Sequence, residues 1–342
     1  MPTIRDVAAL AGVSITTVSR VINGKSSQIP ISEATRDRIL AAIQTLGYEP
    51  NVMAKGLAGR RSHAIGLVMY DLVHITHPNF SQIAHGIATA LSDCSYDLML
   101  LPIKGKLPQK SSKPVSMASY YKQRRVDGLI VAAQEASVES ILELHAIGCP
   151  FVLLGTYLPG KDVPCVRVDA QGGIAQAVTH LVGLGHRRIG FINGPVGFRI
   201  NDDMAVGYRQ VLEPLGLYDP ALLVSSDFTP KATRERAHQL LAMPDRPTAI
   251  LAADDLMAAE VVQVAREVGL SVPDNLSVVG YADLPVARTL SPTLTTVRIP
   301  ISESGRLAAE MLLQLLDGAK PEVACITLPA ELVVRQSTSA PP

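Results

Sequence analysis

The chain of 342 residues is 47 % hydrophobic and 4 % aromatic, and its 31 basic and 31 acidic side chains leave no net charge. This length predicts two or three domains, and the hydrophobic content excludes a disordered chain. No stretch approaches the roughly 18 apolar residues of a membrane span. The first residues also lack the charged and apolar segments of a secretion signal. We therefore expect a cytoplasmic globular protein.

The charge is unevenly distributed along the chain. Residues 1–61 carry eight lysines and arginines against four acidic residues, so the rest of the chain has an excess of four acidic residues. A small basic module on an acidic body suits contact with phosphate groups at one end. An ordinary solvated surface is an equally good interpretation of the charge alone.

Four cysteines are scattered along the chain without the close spacing of a metal site: Cys94, Cys149, Cys165 and Cys325. Disulfides are rare in a reducing cytoplasm, and three of these residues lie in or beside apolar strand-like runs. We expect buried free thiols, with neither a metal ion nor a disulfide.

Residues 3–23 predict two short helices joined by a turn. The apolar side of the first helix consists of Val7, Ala8, Leu10 and Ala11. Gly12 ends this helix, and Ser14 can cap a second helix that buries Val18 and Val21. The side chains on or beside its outer face are Ile15, Thr16, Thr17, Ser19, Arg20 and Asn23. Two short helices with a glycine turn and a polar outer face predict a helix-turn-helix.

A third helix and a linker follow. Ser32 can cap the third helix, which runs to about Leu46 with Gly47 at its end, so residues 1–49 predict a compact headpiece. Residues 50–62 are a linker in which Asn51 can cap a helix of fewer than three turns. Such a short helix with a glycine inside does not form by itself, because nucleation is unfavourable and Gly costs about 1 kcal/mol relative to Ala.

From residue 63 onward, apolar runs alternate with amphipathic helices. The runs HAIGLVMY, DLMLLPI, GLIVAA and FVLLGT predict one series of buried parallel strands. A second series begins with CVRVD and continues through RRIGFING, residues 222–226, TAILAADD and LSVVGYAD. The sequence thus predicts an α/β protein with two lobes of doubly wound parallel sheets.

No combination of residues supports catalysis, a cofactor or a metal. Gly24-Lys25-Ser26 lacks the first glycine of a phosphate loop, and Gly183-Leu-Gly185 lacks the third glycine of a dinucleotide motif. The GxSxG, HExxH and CxxC motifs are absent from the sequence. His74 and His77 follow the first strand, where such lobes bind ligands, but exposed loop histidines are the default interpretation. We predict that the protein is not an enzyme.

The chain resembles the lactose-repressor/galactose-repressor family of bacterial transcription regulators. The matching segments are DVAALAGVS, TVSRVIN, LGYEPN at 46–51 and LAGRRS at 57–62, and the resemblance covers essentially the whole chain. It implies a periplasmic-binding-protein-like core behind the headpiece and hinge. The first lobe would comprise residues 63–161 and 299–327, and the second residues 162–298 and 328–342.

The resemblance also implies a function. A homodimer would bind an imperfect palindromic operator as a repressor, and a small-molecule effector between the lobes would control its affinity for DNA. A periplasmic sugar receptor without a DNA role is the alternative, which the fused headpiece and the missing signal peptide disfavour. The lysine-rich segment 104–114 is interpreted as an exposed loop, with DNA contact as its alternative role.

The family pattern assigns DNA-contacting roles to individual positions. The residues matching base-reading positions are Ile15, Thr16 and Arg20. Those matching phosphate-contacting positions are Ser14, Thr17, Ser19, Asn23, Ser32, Thr35 and Tyr48. The hinge residues expected at the minor groove are Asn51, Ala54, Lys55 and Leu57, and Leu57 matches the leucine that family members insert between bases.

The expected effector contacts are Asp71, Phe80, Arg199, Asp202, Phe228, Asp254 and Asp283. Three positions depart from sugar-responsive relatives: Gly155 and Ala282 replace aspartates, and Asp202 replaces an arginine. Loss of an arginine and gain of an aspartate disfavour an anionic effector. We expect a neutral sugar or oligosaccharide that bonds to Asp254 and stacks on Phe228, with a cationic effector as the alternative.

The linker provides a first test. We expect amide protons of residues 51–59 to exchange rapidly in the free protein and to become protected on an operator. DNA would bring the two hinges together by accepting both Leu57 side chains at one base step. Hydrogen exchange measured free, with operator, and with operator plus effector checks this. Protection already present in the free protein would contradict a folding switch and leave the hinge as a plain tether.

Overall fold

The computed structural model describes residues 2–22, 31–49, 61–69, 75–103, 116–132 and 136–342. It divides into two compact units, Met1–His63 and Ala64–Pro342. Several predictions lie outside the described residues: those for Asn23, Asn51, Ala54, Lys55, Leu57, Asp71, His74 and the loop 104–114. They remain predictions.

The headpiece consists of three helices, α1 (Ile4–Ala11), α2 (Ile15–Ile22) and α3 (Glu33–Leu46). Their small core is formed by Val7, Ala8, Ala11, Val18, Ile39 and Ala42. Gly12 and Gly47 end α1 and α3 in the left-handed conformation, as expected of glycine. The prediction that Leu10 belongs to the apolar stripe is wrong, since its side chain is 55 % exposed. It projects roughly 100° around the helix from the buried face.

The second unit contains two six-stranded sheets. The strands of the first sheet are β1 (Ala64–Met69), β2 (Asp97–Pro102), β3 (Gly128–Val131), β4 (Phe151–Leu154), β5 (Cys165–Val168) and β11 (Cys325–Leu328), in the order β11-β5-β4-β3-β1-β2. Those of the second are β6 (Ile189–Asn193), β7 (Leu223–Ser225), β8 (Ala249–Ala252), β9 (Ser277–Ala282), β10 (Thr295–Arg298) and β12 (Glu331–Val333), in the order β12-β10-β9-β8-β6-β7. The described pairings are parallel except for that of β10 with β12.

Helices alternate with the strands in both sheets, so each of the two lobes has an α/β fold. The helices that lie between strands of the first lobe are α4 (Pro78–Leu91), α5 (Met117–Lys122) and α6 (Val138–Ala146). Those of the second are α7 (Ala170–Gly183), α8 (Arg199–Leu212), α9 (Pro230–Leu241), α10 (Asp255–Glu267) and α11 (Pro285–Thr289), with a 3₁₀ turn at Pro220–Leu222. No described helix is long and apolar enough to span a bilayer.

The last helix, α12 (Ile301–Leu316), returns to the first lobe as predicted. Its Ala308, Ala309 and Leu312 share a core with Ile65 of β1 and Ile87 of α4. Chain segments from both ends of the core therefore build the first lobe.

The placement of β5 corrects the prediction that CVRVD opens the second series of strands. Its register pairs Leu153 with Cys165 and Leu154 with Val166, inside the first sheet. The first crossing between lobes thus follows Val168, later than the predicted boundary at 161. Hydrophobic patterning identifies a buried strand but does not say which of two parallel sheets receives it.

The expectation of four free, buried thiols is also wrong. Cys165 and Cys325 form a disulfide between neighbouring strands, across a sequence separation of 160 residues. Cys149 is buried and free, whereas Cys94 is free but exposed. The disulfide was not predictable from spacing, because the pairing depends on β11 joining the sheet beside β5.

The contact between α4 and α12 depends on two glycines. A Cβ atom at Gly86 would overlap the backbone carbonyl of Ser302, and one at Gly305 would overlap the carbonyl of Ile83. The two helix backbones therefore approach as closely as the absence of side chains allows.

Gly86→Ala should lower the free energy of unfolding of the core by about 1–3 kcal/mol, because the added methyl group forces the two helices apart. Gly183→Ala is the matched control. Gly183 lies in α7 with open space around its Cβ position, and alanine there should be neutral or stabilise by up to about 1 kcal/mol. Urea unfolding measures both variants, and equal stability of the two would contradict the packing account.

Candidate functional site

The outer face of α2 presents the predicted contact residues. Ile15 is 43 % exposed and Thr16 is exposed, while Arg20 is half-buried and Val18 is fully buried. Ser14 caps the helix, accepting from the Thr17 backbone N–H at 3.1 Å. The face thus carries one guanidinium and short polar or branched side chains, with no acidic residue in α2.

The same capping arrangement occurs at the start of α3. Ser32 accepts from the Thr35 N–H at 3.3 Å, and its hydroxyl is 2.9 Å from the Thr35 hydroxyl. The hydroxyls of Ser14 and Thr17 are likewise 2.8 Å apart. Each hydroxyl pair uses one of its two protons internally, so the other proton remains available for an outside acceptor. Ser19 and Tyr48 are half-buried, and Tyr48 packs against the headpiece core.

A second site lies where the two lobes of the core face each other. His77 precedes α4 in the first lobe and Asp254 precedes α10 in the second, and their side chains meet with Nε2 to Oδ2 at 3.1 Å. Each residue is also the N-cap of its helix. The interpretation of His77 as an exposed loop histidine is therefore wrong, because its ring joins the two lobes.

The hydrogen bonds fix the role of each ring nitrogen of His77. Nδ1 accepts from the Asn79 backbone N–H at 3.2 Å. Nδ1 therefore carries no proton, and Nε2 carries the N–H that it donates to Asp254. Asp254 is 5 % exposed, and its other oxygen accepts from Leu256 N at 2.6 Å.

The neighbouring carboxylate, Asp255, is fully buried and links α10 to β10 and to the residue before α11. It accepts from the Thr296 hydroxyl and from the Leu284 backbone N–H. Burial outweighs these hydrogen bonds and raises its pKa to about 7. The two adjacent aspartates thus differ in function: Asp254 faces the other lobe and Asp255 is structural.

An aromatic ring and a buried amide oxygen follow β7 and β6, on the side of the second sheet where the adjacent β8 leads to Asp254. Phe228 is 41 % exposed and has a left-handed backbone, with φ of 65°. A Cβ atom at Gly194 would overlap both the Phe228 ring and the Asn201 amide, so these two side chains converge at Gly194. Asn201 is 1 % exposed, and its Oδ1 has no hydrogen-bond partner among the described residues.

The first lobe offers a second buried acceptor of the same kind. The Oδ1 atom of Asn79 is buried and has no partner in the described part of the chain, and it belongs to the residue that bonds to His77. Buried polar atoms are nearly always paired, so these two amide oxygens are candidate acceptors for a bound water or a ligand.

The other predicted effector contacts have varied surroundings. Phe80 is only 8 % exposed and belongs to the core of the first lobe. Arg199 begins α8 and lies 5.4 Å from the Tyr157 ring centroid. Asp202 accepts from Gly197 N at 3.2 Å. These three residues stay predicted contacts.

Three arginines donate hydrogen bonds to the Asp283 carboxylate. The carboxylate accepts from Arg335, Arg298 and Arg288 at 2.5, 2.9 and 3.1 Å. Burial acts to raise the pKa of Asp283, but the hydrogen bonds from the three arginines outweigh it and bring the pKa to about 2. An effector that contacts Asp283 would have to share the carboxylate with this cluster.

Sequence reasoning missed a second bridge between the lobes. The Tyr157 hydroxyl donates to Asp203 of α8 at 3.2 Å, and Arg167 of β5 lies 3.7 Å from the same carboxylate. The Arg167 guanidinium also stacks on Tyr157 at 4.4 Å. Burial raises the pKa of Asp203, against the effects of Tyr157 and Arg167. No local motif marks residues that are so far apart in the sequence.

Comparison with known proteins provides independent information. Residues 3–51 match the family described as bacterial regulatory proteins, lacI family, and residues 178–338 match a periplasmic binding protein-like domain. The HTH-type transcriptional regulator DegA of Bacillus subtilis (strain 168) is 35 % identical over 341 residues, which cover 98 % of each chain.

Two solved structures are similar over nearly the whole length. A transcriptional regulator CelR–cellobiose complex has 33 % identity and a TM-score of 0.74, and the match covers 98 % of this chain and 100 % of that one. A lac repressor dimer bound to operator and the anti-inducer ONPF has 28 % identity and a TM-score of 0.84, with 99 % of each chain covered.

The contact between His77 and Asp254 can be measured by a double-mutant cycle. His77→Asn and Asp254→Asn each keep a good N-cap residue, yet together they remove the bond between the lobes. We expect a coupling energy of about 1.5–3 kcal/mol from urea unfolding, as for a hydrogen bond to a charged group. A coupling energy indistinguishable from zero would show that the two side chains do not interact in solution.

Proposed function

The chain belongs to the lacI family of bacterial regulatory proteins, and we propose that it is a transcriptional repressor whose affinity for its operator is set by a carbohydrate. The headpiece would read the operator, and the facing lobes of the core would bind the effector. The observation that carries this proposal is the fusion of an exposed helix-turn-helix face to a two-lobed core whose lobes meet at His77 and Asp254.

The DNA part of the proposal rests on the outer face of α2. Arg20 can donate to O6 and N7 of a guanine, while Ile15 and Thr16 offer methyl groups to thymine. The free protons of the two hydroxyl pairs, Ser14 with Thr17 and Ser32 with Thr35, suit phosphate oxygens, which set the register on DNA.

The effector part rests on the chemistry of the facing lobes. Asp254 and the amide oxygens of Asn79 and Asn201 are acceptors, so they favour a ligand that is rich in hydrogen-bond donors. The exposed ring of Phe228 provides an apolar face for stacking. A neutral sugar or oligosaccharide combines both features, and the CelR structure was solved with cellobiose. A cationic effector is the second candidate, since Asp254 would also bind an ammonium group.

A homodimer completes the proposal. The strand β2 is at the edge of the first sheet, with Leu100 40 % exposed. The lac repressor structure is a dimer on its operator, and two headpieces are required to read the halves of a palindrome.

Operator binding implies a cytoplasmic location. The relatives compared above are transcriptional regulators, in keeping with a protein that is not an enzyme and uses no cofactor.

The function is tested on operators selected from random DNA with the full chain. Arg20→Ala should relax discrimination at one G·C pair per half-site by about 1–3 kcal/mol. Thr17→Ala is the matched control, because loss of a phosphate contact should weaken binding to all sequences alike. The affinities of both protein variants are measured for operators that carry single-base substitutions. Unchanged base preference in Arg20→Ala would rule out the proposed reading face.

A further inference from the structure

The disulfide between Cys165 and Cys325 holds an edge strand to the first sheet. Among the described strands, β11 pairs with β5 alone, through four residue pairs that include Cys325 with Cys165. The opposite side of β11 has no strand partner in the described sheet. The covalent bond therefore adds to this ladder and to the packing of Ile326 and Leu328 on the core of the first lobe.

Both bonded strands lead directly into the second lobe. Val168 ends β5 and is followed by Asp169, the N-cap of α7 in the second lobe. Leu328 ends β11, and Ala330, two residues later, packs in the hydrophobic core of the second lobe. Two of the three chain crossings between the lobes thus start three residues beyond the disulfide.

The disulfide also lies close to the second bridge between the lobes, because Cys165 is two residues before Arg167 in β5. Arg167 and Thr327 follow the two cysteines by two residues each, so all four side chains share one face of the sheet. Arg167 donates from Nε to the Thr327 hydroxyl at 3.1 Å and lies 3.7 Å from Asp203 of the second lobe. Movement of β11 therefore alters the position of Arg167.

We propose that Cys165 and Cys325 are a redox-modification site that regulates this protein, with the dithiol and the disulfide as its two functional forms. The disulfide fixes β11 and the two crossings beside it. The dithiol leaves β11 held by its short ladder, by the packing of Ile326 and Leu328, and by the Arg167–Thr327 hydrogen bond.

Exchange with a small disulfide such as oxidised glutathione supplies the chemistry. Cys325 is half-buried and Cys165 is 1 % exposed, so the first attack comes from the Cys325 thiolate on a glutathione sulfur, which releases one glutathione thiolate. The Cys165 thiolate then attacks Cys325 in the mixed disulfide and releases the second. Two cysteine thiols are oxidised, one glutathione disulfide is reduced, and the two thiol protons go to the two glutathione thiolates.

The first experiment maps the bond in the full chain. The protein is equilibrated with reduced or oxidised glutathione, unfolded in urea that contains N-ethylmaleimide so that the buried Cys165 is also reached, and analysed by peptide mass spectrometry. We expect Cys165 and Cys325 to be alkylated after reduction and not after oxidation. The exposed Cys94 should also be alkylated after reduction, and it is the internal control for the alkylation step. Alkylation of both Cys165 and Cys325 after oxidation, or no alkylation of either after reduction, would overturn the proposal.

The second experiment measures the consequence. Oxidised wild-type protein should unfold at a temperature at least about 5 °C above the reduced form, because the bond closes a long loop. The Cys165→Ser/Cys325→Ser variant should show no such dependence on glutathione, and Cys94→Ser should behave as wild type. The affinity for the selected operator should also differ between the two redox forms of the wild type. Equal unfolding temperatures or equal operator affinities would reject a regulatory bond, and neither result depends on knowing the effector.

Discussion

Two helix N-termini that meet across the lobes are the central constraint on the receptor core. His77 caps α4, Asp254 caps α10, and the two caps bond to each other at 3.1 Å. Each N-terminus carries a partial positive charge, so the helices would repel without a negative group between them. The Asp254 carboxylate supplies that charge, and the acceptor nitrogen of His77 satisfies the first turn of α4. The same contact therefore stabilises both helix ends and joins the lobes.

This contact joins the lobes together with the bridge that Tyr157 and Arg167 form to Asp203. Each sheet is complete in itself, and the chain passes between them after β5, between β10 and α12, and between β11 and β12. A ligand that takes the Asp254 acceptor site now bonded to His77 replaces the N–H of the histidine. A ligand hydroxyl can do so, and the lobes would then be held through the ligand and not through the histidine. Effector binding and lobe geometry are coupled for this reason.

The sequence predicted features that depend on local chemistry. Ser32 and Gly47 bounded α3 correctly, and apolar runs located strands such as β1 and β9, because caps and burial leave local patterns. It failed where the outcome depends on partners far away in the chain. The sheet that receives β5, the bond from Cys165 to Cys325, and the contact of Tyr157 with Asp203 all follow from tertiary register, which no spacing records. For His77 a signal was present, since it directly precedes a proline that can start a helix.

We expect effector and operator to compete through one equilibrium of the full chain. The most direct test uses the sugar that most raises the unfolding temperature of the core, together with the selected operator. Operator affinity is measured with and without saturating sugar, and sugar affinity with and without saturating operator. We expect the sugar and the operator to weaken each other's binding by the same factor, on the order of 5–150. A sugar that binds tightly yet leaves operator affinity unchanged would contradict it.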